Sequence, residues 1–85
     1  MRSLEFDPAA IEDLAWWVQH NRRMALRVME LVQDIQRDPF TGVGKPEPLR
    51  HELEGCWSRR ITQEHRLVYA VTETRIDFLH ARYHY

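Results

Sequence analysis

The chain has 85 residues, 44% of them hydrophobic, a formal net charge of −1 from 12 Lys and Arg against 13 Asp and Glu, and one cysteine. That length suits a single small domain over 1–85, burying roughly 60–65% of the surface of its extended chain, and the apolar content excludes a disordered tail. Lone Cys56 excludes an internal disulfide, no run of about 18 apolar residues offers a membrane span, and Met1 to Phe6 is too short for a secretion signal, so a soluble cytoplasmic protein is expected.

Arg2 to Phe6 alternates polar and apolar, as a short strand with Leu4 and Phe6 inward does. Asp7-Pro8 reads as a helix N-cap followed by proline at the first helical position. Ile11, Leu14, Ala15 and Val18 then form one stripe of a helix ending near His20. Asn21 caps a second helix, whose stripe is Met24, Val28, Leu31, Val32 and Ile35 and which Asp38-Pro39 ends. Phe40 to Pro48 holds two glycines and two prolines and reads as a loop within one domain. Strands are expected near Leu49–Leu53, Trp57–Ile61, Arg66–Val71 and Arg75–Tyr83. The order β-α-α-β-β-β-β predicts an α+β domain with a helical hairpin on one face of a mostly antiparallel sheet.

The global charge lacks the basic excess of a free-standing nucleic-acid binder, so any such partner must be argued from the local order of charges. Trp57 and Ile61 share a face with Leu67, Tyr69 and Val71 if the connection between the two strands, such as Gln63–His65, has odd length. The opposite face then carries Ser58, Arg60, Arg66, Val68 and Ala70, and no element of the chain is left to cover it. Arginines there could hold phosphodiesters through their planar donor forks. They could equally be a solvated face paired with Glu52, Glu54 or Glu64. Metal-independent RNA cleavage needs a base for the ribose 2′-OH, a cation for the phosphorane and an acid for the departing 5′-oxygen, and Glu47, Arg66 and His84 supply these residue types. Glu47 lies between two prolines that narrow its backbone choices and hold it without helix or strand.

Residues 44–55, GKPEPLRHELEG, residues 57–71, WSRRITQEHRLVYAV, and the final RYHY carry a close resemblance. They resemble the Txe/YoeB group of bacterial toxin endoribonucleases, relatives of the RelE toxins, over nearly all of Gly42 to Tyr85. The resemblance implies that Glu47 is the general base, Arg66 the transition-state stabiliser and His84 the general acid. It makes Arg60 a further basic site residue and Tyr85 a contact that orients RNA. Arg50 stands where the family commonly has lysine, keeping the charge and changing a point charge into a fork. It further implies a ribosome-dependent toxin that cuts mRNA in the ribosomal A site, without cofactor, countered by an antitoxin of the Phd/YefM kind. A homodimer stays open, since a small core gains from buried partner surface.

The other readings are weaker. His51, Cys56, His65 and His80 match no CxxC or HxxxH pattern, so no metal site is expected. Cys56 reads as a small buried residue, with a Cys–His nucleophile pair to His65 or His80 left open. Trp16, Trp17 and Trp57 read as core or dimer-interface residues. The alternative function is a non-catalytic module docking on an antitoxin or ribosome. A DNA-binding regulator is disfavoured because the two helices join too abruptly for a helix-turn-helix.

Overall fold

Two capping residues set the helical half. In the computed structural model, which describes residues 1–82, strand β1 (Ser3–Phe6) ends at Asp7, whose carboxylate accepts from the Ala9 amide, and helix α1 (Pro8–His20) begins on the proline. Asn21 serves two helices at once. Its N–H closes α1 on the Trp17 carbonyl at 2.7 Å, and its side-chain oxygen accepts from Met24 to open α2 (Arg22–Arg37). A one-residue turn follows, and the hairpin is as tight as the sequence predicts.

The stripes differ in how they meet the core. On α2, Val28, Leu31, Val32 and Ile35 are buried as expected, joined by Ala25, with Met24 packed at the margin. On α1 the buried residues are Ala10 and Trp17, with Leu14 packed beside them, while Ile11 and Val18 are 50% and 46% exposed. The expected Ile11–Val18 stripe is therefore turned towards solvent. The Trp17 indole explains the rotation, because it buries a large apolar surface and its Nε1–H donates to the Ala81 carbonyl at 2.7 Å.

The sheet has the order β1-β5-β4-β3-β2, with β1 parallel to β5 (Arg75–His80) and the remaining pairs antiparallel. β3 (Cys56–Arg60) pairs with β4 (Arg66–Val71) in the register Arg60 opposite Arg66 and Ser58 opposite Val68. This is the expected register, and it puts Trp57, Arg59, Leu67 and Tyr69 under the helices. Three boundaries are corrected. The strand expected at Leu49–Leu53 is instead β2 at Glu47–Pro48 followed by a 3-10 turn at His51–Leu53. Proline is tolerated on an edge strand, and His51 at φ 59° cannot continue an extended run. Glu47, expected outside any strand, thus belongs to one. β5 stops at His80, and Tyr83 lies outside the described residues. No helix among the described residues is long and apolar enough to cross a membrane.

Within the core one residue is charged. Arg59 has no solvent exposure, and all five of its N–H groups are used. Nε donates to the Tyr69 hydroxyl at 3.1 Å. Nη1 donates to Asp34 Oδ2 at 2.6 Å and the Val43 carbonyl at 2.9 Å, and Nη2 donates to the carbonyls of Asp38 at 2.8 Å and Thr41 at 3.1 Å. The Tyr69 hydroxyl passes its own proton to the Pro39 carbonyl at 2.7 Å. Burying an ion pair rarely stabilises relative to apolar packing, but removing one partner strands the other.

The Arg59 guanidinium, foremost among its neighbours, holds the Asp34 carboxyl below its usual 3.8, while burial, next in size, pulls the other way. A depressed carboxylate contributes stability at neutral pH, and that contribution is lost as pH falls from the unfolded value, about 3.9, through the lower folded one. Asp34→Asn is expected to lower stability at neutral pH by about 2–3 kcal/mol, less than a fully broken buried pair because the amide oxygen still accepts. It should also flatten the fall in stability below about pH 4. Denaturant unfolding across a pH series checks both.

Candidate active site

The strand register brings together residues far apart in sequence. Glu47 stands opposite Ser58, Ser58 opposite Val68, and Val68 opposite His80, so one row crosses β2, β3, β4 and β5 on the face away from the helices. The adjoining row is the Arg60–Arg66 pair. Arg66 links the two, since its Nη1 donates to Ser58 Oγ at 3.3 Å and lies 3.9 Å from Glu47 Oε1. The arginine side chain is only 15% exposed, whereas that of Glu47 is 56% exposed. A fixed, half-sheltered cation thus sits beside a carboxylate open to an incoming ligand.

This face is not the bare surface expected. Ser58 and Val68 are buried, and the Arg66 guanidinium reaches across the serine. The two arginines are nevertheless a like-charge pair directly opposite one another, an arrangement that destabilises a sheet unless an anion offsets it. Arg60 Nε is buried and makes no hydrogen bond among the described residues. Two guanidinium groups thus stand side by side, with the Glu47 carboxylate 3.9 Å from Arg66, in a chain whose net charge is −1.

Arg50 follows Glu47 by three residues. Together with Glu47, Pro48 and Leu49 it lines an open depression of about 440 Å³ at the sheet edge. Leu49 anchors this wall, being buried and bonded from its amide to the Cys56 carbonyl at 2.9 Å. Lys45 (φ 53°) and His51 (φ 59°) bracket the segment in left-handed conformations, strain of a kind that collects at ligand sites. Glu47, Ser58 and Arg66 are thus brought together with Arg60 in the adjoining row, Arg50 lies further along the wall that continues the edge strand, and His84 and Tyr85 lie outside the described residues.

Other candidates recede. No group of three or more metal-ligating side chains occurs among the described residues. Cys56 stands opposite Ala70, and burial pushes its thiol up, away from the thiolate. His65 packs edge-on against Trp17, 4.9 Å between centroids, at the opposite end of the β3–β4 pair from Cys56. Trp17 is a core residue, with Trp16 and Trp57 packed against that core. Two contributors went unseen in the sequence. Ser58, named only as a small residue, is the hydrogen-bond partner of Arg66. Arg59 shares the parity of Trp57 and Ile61, a signal that could have exposed it as a buried charge in need of an acid on α2.

Fold and site together define an α+β domain that carries facing arginines with an adjoining carboxylate on its outer sheet face. Residues 6–85 match the family model described as the YoeB-like toxin of bacterial type II toxin–antitoxin systems. The chain is 55% identical over 85 residues, all of both chains, to "Toxin YoeB" of Mycobacterium bovis. Among solved structures it is similar to a YoeB/ParE toxin from Agrobacterium tumefaciens, with a TM-score of 0.93 at 39% identity over 98% of this chain and 99% of that one. It is likewise similar to the toxin of a YoeB–YefM complex from Staphylococcus aureus, with a TM-score of 0.87 at 41% identity over 100% and 99%. The chain belongs to the YoeB-like toxin family.

The facing arginines allow a direct check. Arg60→Gln is expected to raise stability by about 0.2–1 kcal/mol by relieving the like-charge pair. Added pyrophosphate should raise the unfolding temperature of the parent more than that of the variant, because only the parent keeps both guanidinium groups. Thermal unfolding with and without the anion measures both effects.

Proposed function

We propose that this toxin is a metal-independent endoribonuclease that cleaves mRNA in the ribosomal A site and so inhibits translation. The observation that carries the reading is the Arg66 guanidinium placed between Ser58 and the exposed Glu47 carboxylate, beside Arg60. In that reading Glu47 takes the proton of the ribose 2′-OH as O2′ attacks phosphorus. Arg66, with Arg60, stabilises the added negative charge on the phosphorane. His84 gives a proton to O5′ as the P–O5′ bond breaks, leaving a cyclic phosphate and a 5′-hydroxyl. Arg50 and Tyr85 contact the RNA on either side.

Dependence on the ribosome fits the charge of the chain. A basic seat confined to one sheet edge cannot capture RNA from bulk solution by long-range attraction, so presentation by the ribosome substitutes for it. The partner that silences the toxin is a YefM-like antitoxin, in keeping with the YoeB–YefM complex of the S. aureus relative. Acidic side chains of a segment that folds on binding would compete for Arg60 and Arg66. A homodimer is in keeping with the YoeB dimer solved from S. aureus.

Glu47→Gln and Arg66→Gln are each expected to lower mRNA cleavage on translating ribosomes by about a hundredfold or more. Both should leave the circular dichroism spectrum of the fold unchanged. Undiminished cleavage in both variants would remove the assignment. Equimolar YefM-like antitoxin is expected to abolish cleavage by the parent; a stable complex that still cuts would refute masking of the site.

A further inference from the structure

We propose that Arg59, buried and out of reach of substrate, is the positioning residue for Glu47; this rests on reading Glu47 as the general base. Among the described residues the ion-pair partner of the carboxylate is Arg66, at 3.9 Å, and the side chain is more than half exposed. Its side chain is not packed into place, so its position is set by the backbone that delivers it. That backbone is wound round the Arg59 guanidinium.

Three carbonyls of the preceding loop, those of Asp38, Thr41 and Val43, accept from Arg59. Val43 is held at both polar atoms, because its N–H donates to the same Asp34 oxygen that binds Arg59, at 3.1 Å. The next residue, Gly44, accepts from the Arg60 amide at 2.7 Å, and three residues on Glu47 pairs with Ser58. Neither glycine of this loop tolerates a side chain. Gly42 has φ 132° and a Cβ there would strike the Asp34 carboxylate; Gly44 has φ 80° and a Cβ would press on Leu31 and the Arg60 carbonyl. Pro46 then fixes its own φ and restricts Lys45. From the guanidinium to Glu47 the chain has few soft torsions, so a shift at the clamp is passed on to the carboxylate.

Lysine cannot reproduce the clamp, since it offers three donors from one point where Arg59 spreads five across a plane. The test compares full-length Arg59→Lys, Glu47→Gln and the double variant on translating ribosomes. Gly42→Ala serves as a second way to displace the loop with Arg59 intact. Arg59→Lys is expected to lower kcat about ten- to hundredfold, the effect of misplacing a catalytic group by about 1 Å, with KM changed less than about threefold. Once Glu47→Gln is in place it should add less than about twofold, because both changes act through one group. A purely structural role predicts equal losses in the two backgrounds, and that result overturns the proposal. So does undiminished kcat in Gly42→Ala, which carries the same comparison where Arg59→Lys fails to fold. Full activity in Glu47→Gln would overturn the general-base reading and this proposal with it. Loss in Glu47→Gln without the non-additivity overturns only the positioning role.

Discussion

A guanidinium enclosed at the centre of the domain organises what surrounds it. Arg59 cannot lose its charge at any ordinary pH, and water does not reach it. Its neighbours must therefore supply a carboxylate and enough oxygen atoms for every N–H. Asp34 comes from the second helix, Tyr69 from the central strand and three carbonyls from the loop between them. Leaving one donor unmet in that setting costs about 1–3 kcal/mol. The requirement restricts a glycine-rich loop, otherwise free to wander, to one path.

Strand alternation links that buried charge to the exposed ones. Side chains point to opposite faces every residue along a strand. With Arg59 turned under the helices, Ser58 and Arg60 must turn outward, where Arg66 meets them from β4. Slipping β3 by one residue would bury Arg60 without acceptors and expose Trp57 and Ile61. The inner salt bridge therefore protects the outer arginine pair from misregistration. Facing arginines are a local loss of stability, and the clamp beneath them offsets it by fixing the strand that carries Arg60.

What could be read from residue order alone follows the same division between local and distant causes. Asp7-Pro8 and Asn21 act on their immediate neighbours, so both caps lie where the letters put them. The β3–β4 register was legible because apolar parity admits one solution. The rotation of α1 was not, because Ile11, Leu14, Ala15 and Val18 form as good a stripe as Ala10 and Trp17 until Ala81, more than sixty residues away, offers the indole a carbonyl. β2 was misplaced for a related reason: Pro48 looks like loop until β3 supplies an edge to pair with. At the candidate site, strand parity put Arg60 and Arg66 on one face, while Glu47 was named from its residue type and the resemblance. The role of Ser58 and the enclosure of Arg59 needed the third dimension.

The near-zero net charge conceals a division of the outer sheet face. Arg60 and Arg66 lie on β3 and β4, while Glu5 on β1 and Asp77 on β5 share Arg75 at 3.6 and 2.8 Å, with two carboxylates to one guanidinium. Asp77 stands opposite Ala70, four residues along β4 from Arg66, or about 13 Å. That separation exceeds the screening length of about 8 Å at physiological salt. A phosphate over one patch therefore responds to that patch more than to the mean of both. By that division a polyanion laid across the outer face would meet attraction at β3 and β4 and repulsion beyond β5. Global charge argues against a nucleic-acid partner because it averages over a distance longer than the one at which a bound phosphate senses its surroundings.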